Sequence, residues 1–235
     1  GLGMIFYKPS TRTRVSFEVA VYQLGGYPLF LRAEELQVGR GEAIKDMARV
    51  LSRYLNGIIM RTYAQSDIEE LATHATIPVI NALSDLYHPC QILADIFTIQ
   101  EKFNSYQGIK IVYIGDGNNI AHSWLAAAAK LGINLSIASP MGYEPKEEIV
   151  TKAKLLAKKG NNKIEIVHDP YLAIQGADII YTDVWTSMGM EAEEEERLKA
   201  FAGYQVNKEL VAAAKKPAFI MHCLPAHRGQ EITSE

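Results

Sequence analysis

One segment concentrates groups that could hold a charged ligand: Lys8-Pro9-Ser10-Thr11-Arg12-Thr13-Arg14-Val15-Ser16-Phe17-Glu18. An apolar run ends just before it, and Ser10 and Thr11 are both good N-cap residues for a helix. The unpaired backbone N–H groups of a helix start point outward and attract an anion. Ser10, Thr11 and Thr13 add hydroxyl donors, and Arg12 adds a forked cation matched to phosphate. A plain capped helix with Arg14 and Glu18 paired at i,i+4 would account for Arg14. It does not account for three hydroxyls and Arg12 in one turn, so phosphate binding is the preferred reading.

Four other segments carry reactive or polar groups. In His88-Pro89-Cys90-Gln91, His88 and Gln91 share a face of a first helical turn, and Pro89 suits its first position. An imidazole and an amide there could polarise a carbonyl or hold a planar amide; a locally satisfied cap is the bland alternative. Gly115-Asp116-Gly117-Asn118-Asn119-Ile120 follows a strand and precedes a helix, as a dinucleotide fingerprint would. Ile120 stands where the third glycine belongs, so nicotinamide binding is disfavoured. Asn119 reads either as a ligand for a small polar molecule or as the next helix's cap. Asp183-Val184-Trp185-Thr186-Ser187-Met188-Gly189 follows another strand. Asp183 could bind an ammonium, Ser187 and Gly189 read as a mobile polar loop, and Trp185 and Met188 read as packing. His222-Cys223-Leu224-Pro225-Ala226-His227 raises zinc, but its spacing matches no closed zinc pattern. Cys223 would be a reactive thiol only if partly exposed beside a cation; otherwise it is an inert buried cysteine.

These segments need a frame. Apolar runs at 4–7, 28–31, 58–60 and 78–80 read as strands, with helical spacing at 14–24, 43–55 and 67–74. A second series places strands at 110–114, 134–138, 164–167, 178–181 and 218–221, with helices at 121–131, 146–159, 171–175, 193–200 and 208–214. Strands alternating with helices imply parallel sheets, because each crossover returns the chain to the same edge. The expected fold class is α/β: two doubly wound domains, each a parallel sheet flanked by helices. A helical stretch over 88–103 connects them, which sets domains of 1–103 and 104–235. The acidic run Glu191–Glu196 reads as a solvated helix start favoured by the macrodipole.

Composition narrows the function classes. The chain has 235 residues, 48% of them hydrophobic, and its 24 basic against 27 acidic side chains give a net charge of −3. That balance supplies no drive toward nucleic acid or an anionic membrane. No apolar run reaches the ~20 residues of a spanning helix. Cys90 and Cys223 read as reduced thiols in the cytosol. The sequence begins inside an apolar run, shows no signal peptide, and both ends read as cut from a longer fold.

Taken together, Ser10-Thr11-Arg12-Thr13-Arg14, His88-Pro89-Cys90-Gln91, Asp183-Val184-Trp185-Thr186-Ser187-Met188-Gly189 and His222-Cys223-Leu224-Pro225 resemble the aspartate/ornithine carbamoyltransferase family, in order and through the whole chain. The last two segments resemble its ornithine branch. The resemblance implies one domain for carbamoyl phosphate and one for the amino acid, with carbamoyl transfer to the δ-amine of L-ornithine giving L-citrulline and phosphate. Carbamoyl phosphate would be bound by Ser10, Thr11, Arg12, Thr13, Arg14, Arg61, His88, Gln91, Cys223 and Leu224, with Gln37 on a loop reaching a neighbouring subunit. Ornithine would be held by Asn119, Asp183, Ser187 and Met188. Arg12, His88, Asp183 and Cys223 would be catalytic, with Cys223 beside Asp183 the place for the amine's proton to go. No metal and no cofactor is implied. The family is trimeric, so a homotrimer or a multiple of trimers is expected, working in the cytoplasm in arginine biosynthesis. The family also has an N-terminal helical segment and a C-terminal helix with a further phosphate-contacting arginine, neither of which this sequence shows. The alternatives are a catalytically impaired binding remnant of the same fold, or a carbamoyltransferase for another amine such as putrescine.

Overall fold

The computed structural model describes residues 1–37, 41–186 and 191–235. The chain divides into two compact units, Gly1–Cys90 and Gln91–Glu235. Each is a parallel sheet with helical crossovers, the α/β class expected from the alternation of runs.

The first unit holds β1 (Leu2–Phe6), α1 (Thr11–Gln23), β2 (Pro28–Arg32), α2 (Ile44–Leu51), β3 (Gly57–Arg61), α3 (Gln65–His74) and β4 (Val79–Leu83). The strand order is β2-β1-β3-β4. The chain leaves β1 for one side of the sheet and then crosses to β3 on the other, so the order reverses between β1 and β3. Every residue of β3 is buried, as a strand covered on both faces requires. Ile5, Ile58 and Met60 pack with Met47 of α2 and Leu71 of α3 on one face. Met4, Phe6, Ile59 and Ala82 pack on the other. The helix expected over 43–55 stops at Leu51. Ser52 donates its hydroxyl back to the Ala48 carbonyl at 2.7 Å, and the chain then turns to feed β3.

The division between the units falls at the start of α4 (Pro89–Phe103). The second unit continues with β5 (Lys110–Ile114), α5 (Asn119–Leu131), β6 (Asn134–Ala138), α6 (Glu147–Gly160), β7 (Ile164–Val167), α7 (Pro170–Ala173), β8 (Ile179–Thr182), α8 (Glu194–Ala200), α9 (Lys208–Ala212) and β9 (Phe219–His222). The order β7-β6-β5-β8-β9 reverses between β5 and β8. Ile114 pairs with Thr182, and Thr182 with His222. Strands β5, β8 and β9 therefore end level. Val112, Ile114 and Ile180 form a core with Ile174 and Leu210.

Candidate active site

Ligands of open α/β sheets bind outside the carboxyl ends of the strands where the strand order reverses. Each unit has one such place, and most of the residues singled out above lie at it.

In the first unit β1 delivers the chain into Tyr7, Lys8 and Pro9 and then into α1. Ser10 is the N-cap, with extended backbone, and its hydroxyl oxygen accepts from the Thr13 N–H at 3.3 Å. Arg12 and Thr11 stand exposed on the first turn. Phe6 pairs with Arg61 in the β1–β3 register, so Arg61 reaches the same strand-end level as the start of this loop. The β3–β4 register shifts between Met60 and Arg61, a bulge of the kind that re-aims a side chain. Arg61 Nη1 donates to the Thr13 hydroxyl at 3.4 Å, while its buried Nε has no hydrogen-bond partner.

These cations crowd one another. Burial holds the Arg61 guanidinium below its ordinary value, and Arg12 adds to the effect. Lys8 is buried, its ammonium 4.1 Å from the centre of the Tyr63 ring. Burial pushes it down first and Arg61 pushes it further, with Asp85 opposing. His88 falls to about 4 by burial and by the charge of Arg61. It is therefore a neutral imidazole at neutral pH. Arg14 does something else: it pairs with Glu18 at 3.0 Å and lies over the Phe30 ring at 3.7 Å. The bland reading explains it well. Gln37 is exposed, and among the described residues no hydrogen bond ties its side chain to this cluster.

In the second unit Asp183 follows β8 and Cys223 follows β9. The Cys223 thiol donates to Asp183 Oδ1 at 2.9 Å. Asn118 Nδ2 donates to Asp183 Oδ2 at 2.8 Å, and the Val184 N–H donates to Oδ1 at 2.8 Å. Burial first, and then the Asp183 charge, push the thiol well above its ordinary value. The condition for a reactive thiolate, a neighbouring cation, is not met: the neighbour is an anion. Cys223 holds its proton and lends it to Asp183, so it is not a ready acceptor for another.

Asn118, not Asn119, caps α5, accepting from the Ile120 and Ala121 N–H groups at 2.9 and 3.3 Å. Asn119 takes the first helical position. The glycines of this turn have a packing reason. A Cβ on Gly117 would lie 2.1 Å from the Pro145 nitrogen, and the Gly117 N–H is taken by the Tyr143 carbonyl at 2.8 Å. Protein, not a nucleotide phosphate, fills the close approach. Ser187 and Met188 lie outside the described residues.

The turn after β9 is held from behind. The Leu224 N–H donates to His222 Nδ1 at 2.8 Å, so the proton of a neutral ring sits on Nε2, which faces Glu231 Oε1 at 3.0 Å. Leu224 has a left-handed backbone, φ +58°, and precedes a cis proline bond. Ligand atoms of Asp183, His222 and Cys223 lie within 4.8 Å of one another. All three are occupied in these hydrogen bonds, which fits an organised polar turn better than a metal site.

Known proteins decide the lineage. The model of the aspartate/ornithine carbamoyltransferase carbamoyl-P binding domain matches residues 1–101, and that of the Asp/Orn binding domain matches residues 107–235. The chain belongs to the aspartate/ornithine carbamoyltransferase family. Within it, the ornithine carbamoyltransferase of Syntrophus aciditrophicus is 58% identical over 233 residues, which are 99% of this chain and 76% of that protein. The solved ornithine carbamoyltransferase of Pyrococcus furiosus is 57% identical with a TM-score of 0.95, over 99% of this chain and 74% of that one. The solved anabolic enzyme of Campylobacter jejuni is 42% identical with a TM-score of 0.94, over 99% and 77%.

Several residues of this carbamoyltransferase-family site escape sequence reasoning. Asn118 is indistinguishable in type from its neighbour. Asp116 is buried and paired with Arg197 Nη1 at 3.1 Å; burial pushes its carboxyl up to about 6 against the pull of that cation. Arg197 also donates to the Trp185 carbonyl at 3.0 Å and pairs with Glu193 at 3.0 Å. Part of the acidic run thus holds an internal arginine, while Glu194, Glu195 and Glu196 are exposed as expected. The signal available was Glu193 and Arg197 at i,i+4 spacing.

Proposed function

We propose that the chain transfers the carbamoyl group of carbamoyl phosphate to the δ-amine of L-ornithine, giving L-citrulline and phosphate. The observation that carries this is the cationic strand-end cluster of Arg12, Arg61, Lys8 and neutral His88 around an open helix start, in a chain whose near relatives are ornithine carbamoyltransferases.

In this reading the phosphate dianion takes the first-turn N–H groups of α1, the hydroxyls of Ser10, Thr11 and Thr13, and the guanidiniums of Arg12 and Arg61. Arg14 adds its charge from the same helix. His88, neutral at working pH, donates an N–H to the carbamoyl oxygen, and Arg12 with Thr13 strengthens that grip as the oxygen becomes an oxyanion. Gln91 accepts from the carbamoyl nitrogen. Asp183 and Asn119 hold the polar groups of ornithine, with Ser187 and Met188 assigned to the same task. Cys223 and Leu224 are assigned to carbamoyl phosphate as well. The amine attacks the carbonyl carbon, a C–N bond forms, and the C–O bond to phosphate breaks. A lysine-like amine has a pKa near ~10.4 in water, so attack needs the neutral fraction. Cys223, protonated, orients Asp183; the carboxylate is the basic end of the pair. No organic group is required, since positioning and charge stabilisation suffice.

The finer expectations complete the proposal: a break between substrate domains at 103/104, a homotrimer in which Gln37 reaches a neighbouring copy's site, and a cytoplasmic enzyme. Among the described residues no helix is long and apolar enough to cross a membrane. A citrulline assay with carbamoyl phosphate and ornithine tests the reaction. Turnover only with putrescine or aspartate would refute the substrate, and binding of carbamoyl phosphate without turnover would refute the activity. Sedimentation giving a monomer would refute the trimer.

A further inference from the structure

Asp95 is a buried carboxylate, 6% exposed, in the middle of α4. No role in the chemistry above calls for it. Its two oxygens are used by two different elements. Gln91 Nε2, one turn earlier on α4, donates to Oδ1 at 3.1 Å. The Tyr181 hydroxyl, from β8, donates to Oδ2 at 2.8 Å. An ionised carboxylate only accepts hydrogen bonds. It therefore fixes which end of the Gln91 amide faces it: the NH₂ turns inward and the carbonyl oxygen outward. Among the described residues nothing bonds that outward oxygen.

We propose that Asp95 is a positioning residue that presents the carbonyl oxygen of Gln91, rather than its NH₂, to the carbamoyl nitrogen of the substrate. This rests on the carbamoyl role given to Gln91 above. A carbamoyl NH₂ is purely a donor, so an inverted glutamine would meet it donor to donor. Such mismatches at buried sites are where polar specificity arises. Tyr181 is the second half of the device. Its hydroxyl ties Asp95 to β8.

The same geometry makes the device sensitive to acid. The group facing Asp95 from β8 is Tyr181; Cys223 and Asp183 stand behind it, and Gln91, on α4 itself, is uncharged. Burial raises the Asp95 carboxyl to about 6, while the bonds from Tyr181 and Gln91 hold it down. Once protonated it can no longer accept at both oxygens, and Gln91 is free to turn.

The test is steady-state kinetics of Asp95→Asn and Tyr181→Phe against pH, with inhibition by inorganic phosphate measured in parallel. Asparagine must point its own NH₂ at one of the two donors. D95N is expected to raise the KM for carbamoyl phosphate about tenfold, the scale of one lost hydrogen bond, and to leave phosphate inhibition in place. The acid limb of kcat/KM should vanish in D95N and move to higher pH in Y181F, since a bond favouring the anion is lost. A wild-type KM in D95N, phosphate weakening in step with carbamoyl phosphate, or an acid limb unmoved in Y181F would each overturn the proposal. Should D95N fail to fold by circular dichroism, the Y181F limb decides alone. Should the wild type make no citrulline, the proposed reaction falls, and calorimetry of carbamoyl phosphate on wild type and D95N decides Asp95 separately: equal affinity, or binding to neither, overturns it.

Discussion

The two strand-order reversals are built on opposite electrostatic plans. At β1/β3, positive groups are pressed together: Arg12 acts on Arg61, and Arg61 acts on both Lys8 and His88. At β5/β8, donors and acceptors already satisfy one another around Asp183. One place carries positive charge that its neighbours do not balance, and the other is a network of matched donors and acceptors. Strained charge recruits a multiply charged group strongly, and a settled network selects geometry instead.

This contrast can be broken most severely at Arg61. Arg61→Met should weaken carbamoyl phosphate binding by about 3 kcal/mol, the upper range for a hydrogen-bonded charge, and leave the second unit untouched; calorimetry with carbamoyl phosphate and a thermal melt check both. Arg12→Ala should act alike, whereas Arg14→Ala should act partly through the helix, since Arg14 is bound to Glu18 and Phe30.

Filling the first place should relieve its strain. Inorganic phosphate at about 100 times its Kd should add about 2.7 kcal/mol of stability by linkage. Scanning calorimetry reads the rise in Tm, and ornithine alone should give less.

In the second place, Cys223→Ser should lower kcat about tenfold, or about 1.4 kcal/mol in the barrier. Phosphate inhibition should not move. Unchanged kinetics would remove Cys223 from the reaction.

Protonation sharpens the comparison. The folded chain holds His88 at about 4, against an ordinary 6.5. Over that window the unfolded chain takes up the proton first, so stability is lost as pH falls from 6.5 toward about 4. Urea midpoints for wild type and His88→Gln should converge at the acid end, and NMR should find the imidazole neutral at pH 6. The smallest effect is expected at Ser10: Ser10→Ala should cost about 1 kcal/mol through the lost cap, read as a shift in the urea midpoint.

Much of this is legible in the sequence. Buried parallel strands announce themselves as short apolar runs, and Ser10 announces a helix start because cap chemistry is local. What was not legible depends on residues far apart in sequence. Asn118 and Asn119 are alike until one sees which side chain reaches the Ile120 and Ala121 N–H groups. Asp95 occupies a polar position in an amphipathic helix and looks solvated; only the arrival of Tyr181, 86 positions later, makes it internal. Cys223 beside Asp183 is expected from the resemblance, but not that the thiol donates to the carboxylate; that direction depends on the burial and the nearby anion, which no local pattern records. The expected helix over 43–55 ran past Leu51 because helical spacing continues there, while the return to β3 demanded a turn.

Leu224 bears on heat resistance. A bulky side chain at φ +58° sits in a conformation that disfavours it by about 1–2 kcal/mol. Glycine would shed that strain but forfeit about 0.5–1 kcal/mol of backbone entropy and the packing of a half-buried side chain, so the leucine holds its tight turn at little net cost to thermal stability.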